Sequence, residues 1–105
     1  MPSEEQLEID VDHHDRTALV RVRGELDIAT APRLERVLDD VHGEDVVLDL
    51  RGLAYLDSCG VRLLLRRDEA VRRDGHRLTV VQGRTLIRRL LTIMQADRHL
   101  DLRAA

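Results

Sequence analysis

The spacing of apolar residues switches along the chain between the period of a strand and that of a helix, which confines the fold to a sheet with helices packed on it. Leu7, Ile9 and Val11 alternate with Glu8, Asp10 and Asp12, predicting a strand with one wet face. A polar break at His13-His14-Asp15-Arg16 leads to a second strand, Thr17 to about Arg23, which Gly24 ends. The short connection implies an antiparallel pair. Thr30 has the character of a helix N-cap, with Pro32 in the first turn. Ala31, Leu34, Val37, Leu38 and Val41 then recur at helical spacing up to a stop at Gly43.

Within Asp45 to Leu50, Val46-Val47-Leu48 suits a strand covered on both faces, and Gly52 to Ser58 is a connection. A helical stretch follows to Asp74, stopped by Gly75. Leu78 to Val81 is the next buried strand. Leu86, Ile87, Leu90, Leu91 and Met94 form the buried stripe of a third helix, with Thr85 a candidate cap. His99 to Leu102 is a candidate edge strand. The order ββαβαβα(β) is α/β: a mixed sheet of four to five strands, parallel in part. Right-handed crossovers place the helices on one face and leave the other to be covered in a way the pattern does not specify.

A chain of 105 residues, 43% hydrophobic and 35% charged, supplies one core and so a single domain over residues 1–105. No apolar run approaches the roughly 18 residues of a transmembrane helix, so membrane insertion is not expected. MPSEEQLEID is acidic where a secretory signal would be basic and then apolar, and a lone cysteine cannot form an internal disulfide. Both point to the cytoplasm. All 17 basic residues are arginine, but 20 acidic residues outweigh them and leave a formal charge of −3. Tyr55 is the one aromatic residue, so there is no stacking platform, and direct nucleic-acid binding is not expected.

The stretch from Val46 to Leu65 carries the chemistry. Leu56-Asp57-Ser58-Cys59-Gly60-Val61 brings Asp-Ser-x-Gly to the place where a loop gives way to a helix. Upstream, Gly24-Glu25-Leu26-Asp27 stands at the end of the second strand. With both motifs at this separation and in this element order, the chain resembles the STAS domain family, specifically the bacterial anti-sigma factor antagonists, from Leu7 to about Leu102. The resemblance implies the STAS fold and a regulator rather than an enzyme. In that family the serine corresponding to Ser58 is phosphorylated by an ATP-dependent anti-sigma factor kinase. The unmodified form binds the kinase and frees the sigma factor, the phosphorylated form lets go, and a phosphatase resets the cycle. Asp57 is another capping candidate just ahead of the helix, and by the same resemblance it lies in the partner contact; Asp27 is a candidate contact as part of the second motif. The same loop also serves STAS accessory modules that dock on the ATPase subunit of a membrane transporter, which is the alternative function.

Physical chemistry alone gives Ser58 two readings. Its hydroxyl could cap the free N–H groups of the helix. Alternatively, the partial positive charge there would favour a phosphate by roughly 0.3–1 kcal/mol, so that modification leaves the fold standing. A phosphoserine adds about −1.5 to −2 charge, beside Asp57. Under a desolvated or acidic partner surface the repulsion reaches a few kcal/mol at an effective dielectric near ~20. Each ~1.4 kcal/mol is tenfold, so a hundredfold switch needs no refolding.

At 100° per residue, Val61, Leu64, Leu65 and Val71 fall on one helix face as core, with Leu63 and Ala70 opposite among Arg62, Arg66 and Arg73. Leu63 and Arg62 therefore form a candidate docking patch beside Ser58, with an exposed leucine of no function as the plainer reading. Gly60 permits close backbone approach or is simply small. Cys59 reads as a small buried filler or as a thiol activated by the helix start. Both join the candidate partner contact. His13-His14 lacks a ligand set, no phosphate-binding glycine loop occurs, and Ser58 has no histidine at motif spacing, so no metal, cofactor or hydrolytic triad is expected.

Overall fold

A computed structural model describes residues 6–104. The elements are β1 (Leu7–His14), β2 (Thr17–Leu26), α1 (Ala31–Asp40), β3 (Asp45–Leu56), α2 (Ser58–Arg73), β4 (Leu78–Val81), α3 (Thr85–Ile93), a 3-10 turn (Ala96–Arg98) and β5 (Asp101–Arg103). The sheet order is β1-β2-β3-β4-β5; β1 is antiparallel to β2, and the remaining pairs are parallel. The expected mixed α/β sheet is present, with five strands.

The first hairpin closes more tightly than its polar break suggests. Asp15 and Arg16 both have positive φ, 46° and 66°, giving a two-residue reversal with the twist that a hairpin needs. Pairing therefore runs out to His14 opposite Thr17. At the other end Gly24 does not stop β2. It stays in the strand at φ +103°, where a Cβ would overlap the Gln6 carbonyl. Nor is Gly52 to Ser58 a connection. β3 continues to Leu56 because the β2 register shifts, Arg21 facing Asp49 and Arg23 facing Gly52, so the glycine occupies a bulge.

Leu7, Val20, Val22, Leu48, Leu50, Leu78 and Val80 share one face of the sheet and are buried. The alternate residues face the other way and pair charges across it: Asp12 with Arg21 (2.8 Å), Asp10 with Arg23 (2.8 Å), Asp49 with Arg51 (2.7 Å) and Asp101 with Arg103 (2.9 Å). This dresses the second face. Val47 lies on it half-buried, so β3 is not covered on both sides as its apolar run suggests.

Helix α2 is wedged between the sheet and α1, to which Arg66 and Arg67 reach through Glu35 (2.9 and 3.3 Å), Arg67 also meeting Asp39 at 2.7 Å. That second contact widens its buried arc beyond a single stripe. Leu63 is fully buried, correcting its expected surface position, and Ala70 is half-buried. On α3 only Ile87 and Leu91 are buried; Leu86, expected in the stripe, is 73% exposed. Thr85 is the first residue of that helix rather than its cap, which is Arg84 with no side-chain bond.

Candidate functional site

Parallel strands deliver their following loops to one edge of the sheet. At that edge β2 leads into residues 27–30 before α1, β3 into Asp57 before α2, and β4 into residues 82–84 before α3. β3 is the middle strand, so Ser58 stands at the centre.

Asp57 caps α2. Its Oδ1 accepts from the Gly60 N–H at 3.0 Å, its carbonyl accepts from Val61 N–H at 3.1 Å, and its own N–H donates to the Leu26 carbonyl at 3.4 Å. The last bond ties the Ser58 loop to the end of β2. Because Asp57 takes the capping duty, Ser58 does not. It is the first helical residue, exposed, and its hydroxyl has no hydrogen-bond partner among the described residues.

Asp27 organises the neighbouring loop. Its Oδ1 accepts from the N–H groups of Ala29 (2.9 Å) and Thr30 (3.0 Å), and its N–H donates to Thr30 Oγ1 at 3.0 Å. Thr30 occupies the N-cap position of α1, but its buried hydroxyl turns inward and donates to the Glu25 carbonyl at 2.9 Å. The side-chain capping expected of Thr30 is thus absent: Asp27 closes the loop before α1, and the helix start has no side-chain cap among the described residues. This closed loop holds Ile28 out at 76% exposure.

Gly60 is where the two loops press together. A Cβ there would lie 2.5 Å from Leu56 Cδ1 and 3.1 Å from Leu26 Cγ, so a side chain would push α2 off β2. Close approach, rather than smallness alone, accounts for the residue. Cys59 is half-buried with a free thiol, and Arg62 is exposed without an ion pair among the described residues. Leu63 lies beneath this surface, so it supports the loop from inside and cannot be a contact.

The structure thus brings Asp27, Asp57, Ser58, Cys59, Gly60 and Arg62 to the ends of β2 and β3 and removes Leu63 from the exposed set. Sequence reasoning missed three apolar side chains at this end: Ile28, Tyr55 (48% exposed) and Leu86. Ile28 had a readable signal, as an apolar residue in a polar loop directly after Asp27. Among the described residues no helix is long and apolar enough to cross a membrane, and no three His, Cys, Asp or Glu side chains gather as a metal would require.

A family model described as the STAS domain matches residues 8–105. An anti-sigma-B factor antagonist of Staphylococcus epidermidis is 34% identical over 90 residues, covering 83% of this chain and 83% of its own length. An anti-sigma F factor antagonist of Paenibacillus polymyxa is 30% identical over 89 residues, covering 81% and 76%. The crystal structure of an anti-sigma factor antagonist from Mycobacterium paratuberculosis superposes with a TM-score of 0.85 at 27% identity, over 97% of this chain and 89% of that one.

Proposed function

The chain belongs to the STAS domain family, and from that we propose that it acts, as one domain, as an anti-sigma factor antagonist switched by phosphorylation of Ser58. The unmodified form binds an ATP-dependent anti-sigma factor kinase and releases the sigma factor. The kinase then transfers the γ-phosphoryl group of ATP to Ser58 Oγ: the new O–P bond forms, ADP departs, and the hydroxyl proton passes to a base on the kinase. A phosphatase restores the hydroxyl by hydrolysis. This chain supplies the acceptor and the docking surface and performs no catalysis. The relatives named above are antagonists of anti-sigma factors, which supports the class of partner. Bacterial signalling of this kind is cytoplasmic.

One observation carries the reading: the Ser58 hydroxyl is exposed and unengaged at the head of α2 because Asp57 caps the helix in its place. A phosphate added there meets free backbone N–H groups on its own protein and breaks no bond in the fold. Its charge is felt instead by whatever covers the loop. Asp27, Asp57, Cys59 and Arg62 form the contact around it, with Ile28 and Tyr55 as apolar anchors, and buried Gly60 lets the two loops close beneath it.

Incubation with a cognate anti-sigma kinase and ATP, followed by phosphopeptide mass spectrometry, should place phosphate on Ser58 and none on the Ser58→Ala variant. Transfer to another residue overturns the assignment. Ser58→Asp should keep the wild-type unfolding curve yet bind the kinase about a hundredfold more weakly, near 2.7 kcal/mol; unfolding of that variant would refute the interface argument.

A further inference from the structure

The charge of the chain is unevenly distributed. Residues 82–96 hold Arg84, Arg88 and Arg89 and no acidic residue, in a chain of formal charge −3. None of these three arginines makes an ion pair or a side-chain hydrogen bond among the described residues. By contrast, Arg66 and Arg67 of α2 are both engaged by α1. On α3, Leu86 and Ile93 are seven residues apart on one side of the helix, 73% and 75% exposed, with half-buried Leu90 between them. Spacing of i, i+4 and i+7 is how a helix offers apolar anchors to another molecule.

Beside that helix face an open groove of about 960 Å³ runs to β5, lined by Arg88, Arg89, Thr92, Ile93, Leu100 and Leu102 among others. β5 is the last strand, so its outer edge has no neighbour in the sheet among the described residues. Two carboxylates border the groove: Asp101 is already held by Arg103 at 2.9 Å, and Asp97 lies in the 3-10 turn. Asp97 has no ion pair among the described residues, so the unpaired guanidinium groups of the groove outnumber its unpaired carboxylate two to one. Apolar side chains flanked by such groups are well covered only by a surface that brings carboxylates to the same places.

We propose that the α3–β5 groove is a second docking surface, taking an acidic segment of a protein partner whose large apolar side chain seats beside Ile93 and whose carboxylates meet Arg88 and Arg89. An anionic membrane also suits cations beside apolar groups. The shortness of α3, nine residues, argues for protein.

The test is an NMR titration of the full-length ¹⁵N-labelled chain with a synthetic peptide in which glutamate pairs alternate with leucine. Shift changes should gather on α3 and β5, and affinity should fall with added salt. Arg88→Glu with Arg89→Glu should weaken binding about tenfold or more, and Ile93→Ser severalfold, both variants keeping the wild-type Tm because these side chains are exposed. Ser58→Asp should bind the peptide as the wild type does, which separates this surface from the phosphorylation site. Shifts scattered over the molecule, charge-reversed protein binding equally well, or a lysine–leucine peptide binding equally well would overturn the proposal. So would binding to phosphatidylglycerol vesicles in place of the peptide.

Discussion

Asp57 and Ser58 are chain neighbours and both are residue types that cap helices, yet only one of them holds the fold. Asp57→Ala removes the acceptor of the Gly60 N–H and should cost about 1 kcal/mol in urea denaturation, with Asp57→Asn restoring most of it. Ser58→Ala should stay within ~0.5 kcal/mol of the wild type, since its hydroxyl is bonded to nothing in the described residues. Asp68 is the opposite case, a carboxylate that works against the fold. It is buried on α2, with Oδ2 3.1 Å from Arg72 Nε and Oδ1 without a hydrogen bond among the described residues. Burial raises its pKa above the ordinary value. The stability it contributes is therefore present when it is protonated at low pH and is lost as pH rises through the folded-state value. Asp68→Asn should raise stability at pH 7 by on the order of 1 kcal/mol, and the advantage should vanish below about pH 4, as read from urea midpoints across pH.

Elements were legible in the sequence wherever one face decides the pattern. β4 falls at Leu78–Val81 and α2 ends before Gly75, as the apolar spacing predicts, and the Asp-Ser-x-Gly junction falls where β3 gives way to α2. Errors arose where an element meets two neighbours or fewer than expected. Leu63 lies off the single-face stripe of α2 but faces the core because α1 covers that flank. Leu86 matches the stripe of α3 but lies in its first turn, beyond what the helix covers. Gly52 looks like a terminator and is a bulge, because strand pairing is a property of two segments that no single window displays. At the site the sequence offers both Asp57 and Ser58 as caps of α2, and packing gives that role to Asp57; for α1 it points to Thr30, whose hydroxyl turns inward instead. The packing account of α2 predicts that Leu63→Ala costs about 2–5 kcal/mol in urea denaturation, as a core truncation does. A loss under ~0.5 kcal/mol would return Leu63 to the surface.

At the scale of the whole molecule the helices bury one face of the sheet and ion pairs dress the other. Exposed pairs of this kind add little, typically 0–1 kcal/mol each. Asp49 differs, because its carboxylate is largely buried in the sheet. Hydrogen bonds from Arg51 hold it below the usual carboxylate range, against the burial that opposes them. Its contribution is thus present above the unfolded-state pKa and is lost as pH falls through the folded value. Asp49→Asn should destabilise the chain at pH 7, the difference from wild type closing as the pH drops below about 4. A constant difference across that range would show that Asn loses packing rather than charge.

The tight reversal at Asp15-Arg16 opens β2, and Asp57 is bonded at its far end, at Leu26. Ten strand residues lie between, roughly 30 Å of chain. A fluorophore, a surface linker or an inserted host sequence attached at that hairpin would thus leave the opposite rim unobstructed, which makes the fold suited to being carried as cargo inside larger assemblies.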